Sequence, residues 1–199
     1  MNDKDLELIK DYLDGNRLSF DELVEIYLKQ VFNFAFRLIG SKRDSEDITQ
    51  EVFLKIWKNL KKFDFDKSFK TWLFSIARNT CIDYLRKRKD IPMSFFDDEY
   101  EGNFIQDNLE TDEPNSEEVI VFEENKKLIE DALKELSFVQ KEIIIMKYVN
   151  ELSLSEVAEI MNMPRETVKS HHRRGLLKMR HFLNAPKFKK PTYKKAYDR

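Results

Sequence analysis

The stretch FKTWLFSIARNTCIDYLRKRK, from Phe69 to Lys89, has the periodicity of one amphipathic helix. Residues three and four apart share a helical face, which groups Leu73, Ile76, Ala77, Thr80 and Tyr84 on an inward stripe. The remaining surface gathers Lys70, Arg78, Asn79, Arg86, Lys87, Arg88 and Lys89. Trp72 lies near the edge of the stripe, where an indole either packs or stacks on a base. Taken alone, the pattern fits an ordinary core helix with a solvated face as well as a helix that holds nucleic acid.

The composition around this helix favours an all-α fold. The chain has 199 residues, 41% of them hydrophobic, with only 4 Gly and 5 Pro, which suits one domain or two small helical ones. Cys81 is the single cysteine, so a disulfide framework is excluded and a reducing cytoplasm is expected. The first residues, MNDKDLELIKDYL, show neither the basic n-region nor the apolar h-region expected of a signal peptide, and no apolar run approaches a membrane span. We therefore expect a cytoplasmic protein without membrane insertion, metal or cofactor.

The charges are segregated along the chain although the formal net charge is only −2. Residues 1–90 carry a net charge of +2, residues 91–125 carry 12 acidic and no basic side chains, and residues 126–199 carry +8. The middle segment also lacks a hydrophobic period, which predicts a flexible acidic linker. The predicted domains are residues 1–90, the linker 91–125, a second module 126–184 and a basic tail 185–199.

Helical signals in the first module predict a four-helix bundle. Residues 3–13 form a short amphipathic segment, and Ser19 with Glu22 has the spacing of a capping box that opens a second helix, which Gly40 would end. A third helix is indicated by apolar residues four apart: Ile48, Val52, Ile56 and Leu60. The segment FDFDKS, 63–68, breaks this period and predicts a loop.

The second module also reads as four helices. Helical signals resume near Ser116, and two capping boxes follow: Ser137 with Gln140 and Ser153 with Glu156. Pro164 suits the first position of a last helix that extends to about residue 183.

Residues 153–183, SLSEVAEIMNMPRETVKSHHRRGLLKMRHFL, have the form of a helix-turn-helix. Val168 with Leu176 or Leu177 is expected to anchor its second helix. The outward positions of that helix are basic or polar: Arg165, Lys169, Ser170, Arg173, Arg174, Lys178 and Arg180. A recognition helix needs such donors for guanine and phosphate. The alternative is a helical hairpin with a basic surface.

His171 and His172 stand out in the same helix. Adjacent residues point about 100° apart, so the two rings are not expected to share a metal. We expect one of them to face DNA and the other to pack at the helix edge. The motifs GxxxxGK[ST], HExxH and GxSxG are absent from the sequence, and we expect no catalysis.

Two blocks together resemble one protein family. DSEDITQEVFLKIWKNL (44–60), followed by the stretch 69–89, resembles region 2 of the extracytoplasmic-function (ECF, group 4) RNA polymerase sigma factors of the sigma-70 superfamily. LSFVQKEIIIMKYVNELSLSEVAEIMNMPRETVKSHHRRGLLKMR (136–180) resembles region 4 of that group, in the order the family has. The resemblance implies a protein that binds core RNA polymerase, recognises promoter DNA and assists strand opening.

The resemblance also implies roles by position. Core-polymerase binding falls on Asp47, Gln50, Glu51, Phe53, Leu54, Lys55 and Trp57. Capture of single-stranded minus-10 DNA falls on Phe63, Asp64, Phe65, Lys70, Trp72, Arg78, Asn79 and Arg86. Readout of duplex minus-35 DNA falls on Arg165, Lys169, Ser170, His171, Arg173, Arg174 and Lys178. Glu166, His171, His172 and Arg173 depart from the residues usual in the family, so the promoter sequence is not predicted.

Other functions remain open at this point. Members of the group are commonly held by an anti-sigma factor, which is a further expected partner. The acidic linker is either a mimic of nucleic acid inside the polymerase or a solvated spacer, and the tail either extends DNA contact or is a solubilising segment. The alternative functions are a helix-turn-helix regulator that binds duplex DNA only and a helical adaptor that binds no DNA. The block from residue 44 to 89 favours the sigma factor, because a duplex-only regulator needs no base-capturing loop.

Overall fold

The structure is a computed structural model that describes residues 3–89 and 127–185. Its first part contains α1 (Asp3–Leu13), α2 (Leu18–Ile39), α3 (Lys42–Asn59) and α4 (Phe69–Lys89), with a short 3-10 helix at Leu60–Lys62. Its second part contains α5 (residues 127–134), α6 (Phe138–Tyr148), α7 (Leu154–Met161) and α8 (Arg165–Leu183). The all-α, two-module prediction is confirmed. The predicted acidic linker, the helical signal near Ser116 and nearly all of the basic tail lie outside the described residues.

The first module forms where the apolar periods predict it. Gly40 ends α2 with a left-handed φ of 81°, and its N–H donates to the Phe36 carbonyl at 2.8 Å. Ser41 then opens α3 by accepting a hydrogen bond from the Asp44 N–H at 3.4 Å. The predicted stripe of α3 is fully buried, with Ile48, Val52, Ile56 and Leu60 all in the core.

The predicted capping box at Ser19 and Glu22 is wrong. The helix α2 begins two residues earlier, with Arg17 rather than Ser19 at the N-cap position, so Ser19 lies inside the helix and is buried. The Asn16 side chain accepts a hydrogen bond from the first helical N–H, that of Leu18, at 3.2 Å. Glu22 instead forms a salt bridge of 2.7 Å with Lys4 of α1.

Both capping boxes of the second module are confirmed. The Gln140 N–H donates to Ser137 Oγ at 3.4 Å and the Ser137 N–H donates to Gln140 Oε1 at 3.3 Å. Ser153 and Glu156 form the same reciprocal pair. The Ser153 N–H donates to Glu156 Oε2 at 2.8 Å, and the Glu156 N–H donates to Ser153 Oγ at 3.2 Å. These boxes fix where α6 and α7 begin, and so they orient the helix-turn-helix.

The start of α8 differs slightly from the prediction. Asn162 ends α7 in the left-handed region with φ 51°. Pro164 has an extended ψ of 137°, so it precedes the helix and Arg165 is the first helical residue. The restriction that proline places on its own φ is met at either position.

The predicted anchors of α8 are only partly correct. Val168 is buried, but Leu176 and Leu177 are 38% and 54% exposed. The buried stripe continues instead through His171 and Gly175. A Cβ at residue 175 would lie 3.5 Å from Gln140 Cβ and from Ile144 Cγ1 of α6, so α8 lies against α6 at its glycine.

The two modules share one apolar core in this structure. Buried residues of α1–α4 and of α6–α8 form a continuous cluster. The contacts between modules run from α4 to α7 and from α2 to α6. The first helix is tied to this body by a buried hydrogen bond of 2.6 Å from the Tyr27 hydroxyl to Asp5 Oδ2. The helix α4 therefore has one side against its own module and another against the second module.

Candidate nucleic-acid and partner interfaces

An aromatic cluster joins the loop 63–68 to the start of α4. The Phe63 ring lies 5.3 Å from the Trp72 ring and 5.5 Å from the Phe65 ring, measured between centroids. Phe69 completes the cluster at 5.9 Å from Trp72. Phe63 and Phe69 are buried, while Phe65 and Trp72 are half-buried. The cluster thus has a supporting layer and an outer layer, and Phe63 belongs to the supporting layer rather than to the surface that the sequence predicted.

The loop beside this cluster is ordered by its own aspartate. The Asp64 carboxylate accepts a hydrogen bond from the Asp66 N–H at 3.1 Å, and the Asp64 carbonyl accepts one from the Lys67 N–H at 3.0 Å. The Lys10 ammonium lies 5.8 Å from the centroid of the Phe65 ring. Asp64 is exposed, and its carboxylate holds the loop in shape through the hydrogen bond from Asp66.

One face of α4 continues from the aromatic cluster. Trp72, Asn79 and Arg86 are seven residues apart and share this face. Asn79 and Arg86 are exposed, and Arg86 forms a salt bridge of 3.5 Å with Asp83. Lys70 is half-buried at the helix start. Aromatic rings, an amide and a cation in one row can stack on bases, read a base edge and contact phosphate.

Arg78 does not lie on this face, contrary to the sequence prediction. It is only 9% exposed. Its Nε lies 3.0 Å from Glu142 Oε1 and its Nη2 donates a hydrogen bond of 3.2 Å to Glu142 Oε2. The first contact is an ion pair without hydrogen-bond geometry, and the second is a hydrogen bond. In this arrangement, the Arg78 guanidinium is committed to α6 of the other module.

The exposed face of α3 combines apolar and polar side chains. Leu54 is 48% exposed and Trp57 is 51% exposed. Asp47, Gln50 and Glu51 precede them at helical spacing and are exposed as well. An exposed helical face that carries a large aromatic residue, acids and an amide has the composition of a protein-binding surface.

One residue predicted for this surface is placed elsewhere, and another lies at the edge of the surface. Phe53 is buried in the core, because it is next to Val52 in sequence and lies at the edge of the inward stripe of α3. Lys55 is half-buried; its ammonium forms a salt bridge of 2.8 Å with Glu51 and donates a hydrogen bond of 3.0 Å to the Thr80 hydroxyl of α4. Phe53 therefore supports the helix, Lys55 lies beside Glu51 at the edge of the exposed face, and Leu54 and Trp57 face outward.

An adjoining groove between α2 and α3 was not anticipated from the sequence. It has a volume of about 420 Å³ and is lined by Leu28, Lys29, Phe32, Lys42, Glu46, Thr49 and Gln50. Leu28 is exposed, and the Phe32 ring stacks on the Phe36 ring at 5.9 Å. The signal was present as the apolar residues 28, 32 and 36, spaced four apart on the outer side of α2.

The outer face of α8 is strongly basic. Arg165, Arg173 and Arg174 are exposed together with Ser170, and Lys178 is half-buried. Lys169 forms a salt bridge of 2.6 Å with Glu166, and this contact holds the pKa of the Glu166 carboxyl below its ordinary value. The face therefore carries several exposed arginines, and Glu166 partly offsets the charge of Lys169.

The adjacent histidines occupy different environments. His171 is buried, and its ring lies 3.2 Å from Arg174 Nη2, so it supports α8 and does not face outward as predicted. His172 is half-buried, stacks on Tyr148 at 5.7 Å and forms a hydrogen bond of 3.1 Å with the Tyr148 hydroxyl. Burial, with repulsion from Lys147, lowers the pKa of His172 and favours its neutral form.

The described residues show no sign of two other kinds of site. Within residues 3–89 and 127–185, no group of three His, Cys, Asp or Glu side chains is placed to hold a metal ion. The helices of those same ranges lack the length and apolar character needed to cross a membrane.

Comparison with known proteins gives the same two blocks. Residues 23–91 match the family Sigma-70 region 2, and residues 132–181 match Sigma-70, region 4. The chain is 34% identical over 170 residues to the ECF RNA polymerase sigma factor SigW of Bacillus subtilis, covering 84% of this chain and 90% of SigW. It is 30% identical over 167 residues to the ECF RNA polymerase sigma-E factor of Escherichia coli K12, covering 83% of this chain and 87% of that protein.

A solved structure has the same fold. The sigma factor RpoE from Bartonella quintana, in complex with the anti-sigma factor NepR, superposes with a TM-score of 0.65 at 24% identity, covering 84% of this chain and 98% of that one. Fold, paired blocks and relatives together define a sigma-70-type protein. The chain belongs to the ECF RNA polymerase sigma factors.

Proposed function

We propose that the protein binds core RNA polymerase and directs promoter-specific initiation of transcription in the cytoplasm, without catalysis of its own. The observation that carries this proposal is the presence of region 2 and region 4 in one chain, each with an exposed surface of suitable chemistry. A regulator that binds only duplex DNA would need α8 but not the aromatic cluster or the exposed face of α3.

The first module, residues 1–90, is proposed to dock on the polymerase and to capture the minus-10 element. Phe65, Trp72 and Asn79 provide stacking surfaces and an amide next to the cation of Arg86. Extruding a base costs a few kcal/mol of stacking energy, which aromatic contacts offset by about 1–3 kcal/mol per base. Lys70 lies at the start of this row and would contact phosphate. Phe63 packs against Phe65 and Trp72, and Asp64 orders the loop that carries Phe65.

The second module, residues 126–184, is proposed to read the minus-35 element as duplex DNA through α8. Ser170, Arg173 and Arg174 are exposed at positions from which they would reach base edges in a major groove. Arg165, Lys169 and Lys178 would contact phosphates, which position a protein without specifying sequence. His171 would act indirectly, through its contact with Arg174.

Docking on the polymerase is proposed to use the exposed face of α3, extended by the groove beside Leu28. Trp57→Ala is expected to weaken binding to core RNA polymerase by about tenfold or more, because exposed aromatic residues dominate such interfaces. Size-exclusion co-elution and a titration with labelled protein would measure this loss. Leu18→Ala, another exposed apolar residue, is the control and should bind normally. Equal binding by Trp57→Ala and wild type would rule out this docking face.

An anti-sigma factor is a further proposed partner. RpoE of Bartonella quintana, whose fold this chain shares, was solved in complex with the anti-sigma factor NepR. Such an inhibitor would compete with polymerase by binding the same surfaces, namely the apolar groove between α2 and α3 and the exposed Trp57.

A further inference from the structure

The C-terminal end of α6 meets one side of α8 through two aromatic rings. The Tyr148 and His172 rings lie 5.7 Å apart between centroids and are inclined by only 22°. The Tyr148 hydroxyl and His172 Nε2 lie 3.1 Å apart, which is hydrogen-bond distance. Although it packs on this partner, Tyr148 remains 54% exposed. The two rings therefore form a fixed pair whose outer edge faces solvent.

This pair lies on the cationic flank of the helix that is proposed to read duplex DNA. Arg165, Lys169 and His172 are four and three residues apart, so they line one side of α8. Lys147, in the last turn of α6, is close enough to act on the charge state of His172. An α-helix about 10–12 Å wide fills a major groove about 12 Å wide, so its flanks meet the phosphates of the groove walls. Tyr148 and His172 are thus placed to meet a phosphate rather than a base.

The hydrogen bond between the two rings has two forms, which differ in what they offer a phosphate. When His172 is neutral with its proton on Nδ1, the Tyr148 O–H donates to Nε2, and this donor is used within the pair. When His172 is protonated, Nε2 donates to the Tyr148 oxygen instead, which leaves the hydroxyl proton to point outward. The protonated form therefore presents an O–H donor and a positive charge together, and both attract an anion.

We propose that Tyr148 and His172 together bind a backbone phosphate of duplex DNA at the junction of α6 and α8, and that this contact takes up a proton. The inference rests on the proposed minus-35 role of α8. His172 is also a position at which this sequence departs from the residues usual in the family, so the contact would be particular to this chain.

The proton uptake follows from the surroundings of His172. Burial and repulsion from Lys147 lower the pKa of His172, so the ring is mainly neutral at neutral pH in the free protein. A phosphate beside the ring would raise that pKa again, because an opposite charge favours the protonated form. The DNA-bound protein then binds more protons at this site than the free protein does, so affinity rises as the pH falls.

Other charged groups near His172 leave this direction unchanged. On α6, Lys147 is the charged neighbour and Tyr148 is the titratable one. On α8 itself, Lys169 lies one turn earlier and pairs with Glu166. The helix α7 also packs against α8, but within residues 3–89 and 127–185 none of its charged groups contributes to the pKa of His172.

The test compares variants in holoenzyme reconstituted with core RNA polymerase. His172→Gln keeps a hydrogen-bonding side chain but carries no charge at any pH. His172→Arg is charged at every pH tested, and its planar group can lie over the Tyr148 ring. Tyr148→Phe keeps the ring stack and removes the hydroxyl. His181→Gln is the matched control, because His181 is an exposed histidine in the last turn of α8.

The probe is labelled duplex DNA from the pool that wild-type holoenzyme selects out of randomised promoter sequences. Fluorescence anisotropy at fixed salt measures binding between about pH 6 and about pH 8, the range in which histidine changes charge. From the high to the low end, wild type and His181→Gln should gain about three- to fivefold more affinity than His172→Gln gains. His172→Arg should bind tightly at both ends. Tyr148→Phe should bind about two- to fivefold more weakly than wild type at the low end, through one lost hydrogen bond to a charged group.

An equal pH dependence in wild type and His172→Gln would overturn the proton uptake. Wild-type affinity in Tyr148→Phe at low pH would overturn the phosphate contact, and so would a loss of the same size at both ends, which indicates a structural role. If circular dichroism showed that His172→Gln had lost its helices, a pH dependence in His172→Arg equal to that of wild type would overturn the proposal. Failure of wild-type holoenzyme to enrich any sequence would reject the proposed function and the contact with it, whereas the outcomes above reject the contact alone.

Discussion

At the scale of single residues, burial separates side chains that can bind a partner from side chains that hold them in place. Asn79 and Arg78 are neighbours in sequence, yet Asn79 is exposed and Arg78 is buried against Glu142. Trp72 is intermediate, because its ring packs on Phe63 and Phe69 while its outer side remains accessible. Substitution of Trp72 therefore mixes stability with binding, and Asn79 offers the cleaner test of α4.

Asn79→Ala should impair promoter opening without affecting the fold. An exposed substitution changes the free energy of unfolding by about 0.5 kcal/mol or less, whereas loss of an amide that reads a base edge costs about 1–3 kcal/mol of discrimination. Open-complex formation, measured by permanganate reactivity of unpaired thymines, should fall about tenfold. Asn184→Ala, which is exposed at the end of α8, should behave as wild type. An equal loss of polymerase binding in Asn79→Ala would show that the side chain has a different role.

Lys141→Met should stabilise the protein, with a pH dependence of known sign. Burial is the main cause that lowers the pKa of Lys141 from 10.5 to about 7, and repulsion from Lys134 and Arg37 adds to it. Between these values, the unfolded chain binds a proton that the folded chain does not, so the free energy of unfolding rises with pH through this window. Methionine removes the cost, and the gain at pH 7 should exceed about 1 kcal/mol.

Urea unfolding of wild type and Lys141→Met at several pH values between neutral and alkaline would measure this effect. The difference between the two proteins should shrink as the pH rises, because wild type regains stability on deprotonation. Lys127→Met, an exposed lysine of the same module, should leave both stability and its pH dependence unchanged. A variant less stable than wild type throughout would show that the Lys141 ammonium has a favourable contact.

At the scale of helices, the sequence predicted elements well and the facing of individual side chains less well. The apolar period of α3, the glycine that ends α2 and the capping boxes of α6 and α7 depend on local chemistry, and each was predictable. The buried stripe of α8 was not predictable in this way, because it includes His171 and Gly175, and neither residue is hydrophobic enough to mark a buried position in a sequence pattern. Arg78 was misplaced for a related reason: its partner Glu142 lies 64 residues away, and local periodicity carries no information about it.

Gly175 tests how closely α8 lies against α6. A methyl group there would have ordinary van der Waals contact with Gln140 and Ile144 at 3.5 Å. Gly175→Ala should therefore stabilise the protein by about 0.5–1 kcal/mol through helix propensity. Gly175→Leu should destabilise it by about 1–3 kcal/mol through overpacking. Thermal unfolding would measure both, and a destabilised alanine variant would mean that the helices are closer than the structure indicates.

Arg173 and Lys169 test the proposed division of labour on α8. Arg173→Ala should relax the preference for one base in the upstream promoter element by about 1–3 kcal/mol. Lys169→Ala should weaken binding evenly across sequences and reduce the salt slope, by less than a full charge because Glu166 already pairs with it. Selection from randomised promoter DNA by the holoenzyme would compare them. If both variants gave one pattern, the sorting of base and phosphate contacts would be wrong.

At the scale of the whole molecule, the two proposed DNA-reading surfaces and the proposed docking surface lie on two modules that share one apolar core. The face of α3 that bears Trp57 remains exposed in this arrangement, whereas one edge of α4 is covered. The row of Trp72, Asn79 and Arg86 lies outside that covered edge. The acidic segment 91–125 lies between them in sequence, and its role as a nucleic-acid mimic or as a spacer stays a prediction.

The central claim is that this chain directs polymerase to promoters through a two-part sequence. The test is in vitro transcription of fragmented genomic DNA, taken from the organism that encodes the protein, by holoenzyme reconstituted from core RNA polymerase and the purified protein. Sequencing of the RNA 5′ ends would locate the transcription starts. We predict starts that lie downstream of one shared pair of sequence elements, with positions that core polymerase alone does not use. Starts that share no upstream sequence, or that match those of core polymerase alone, would contradict the account.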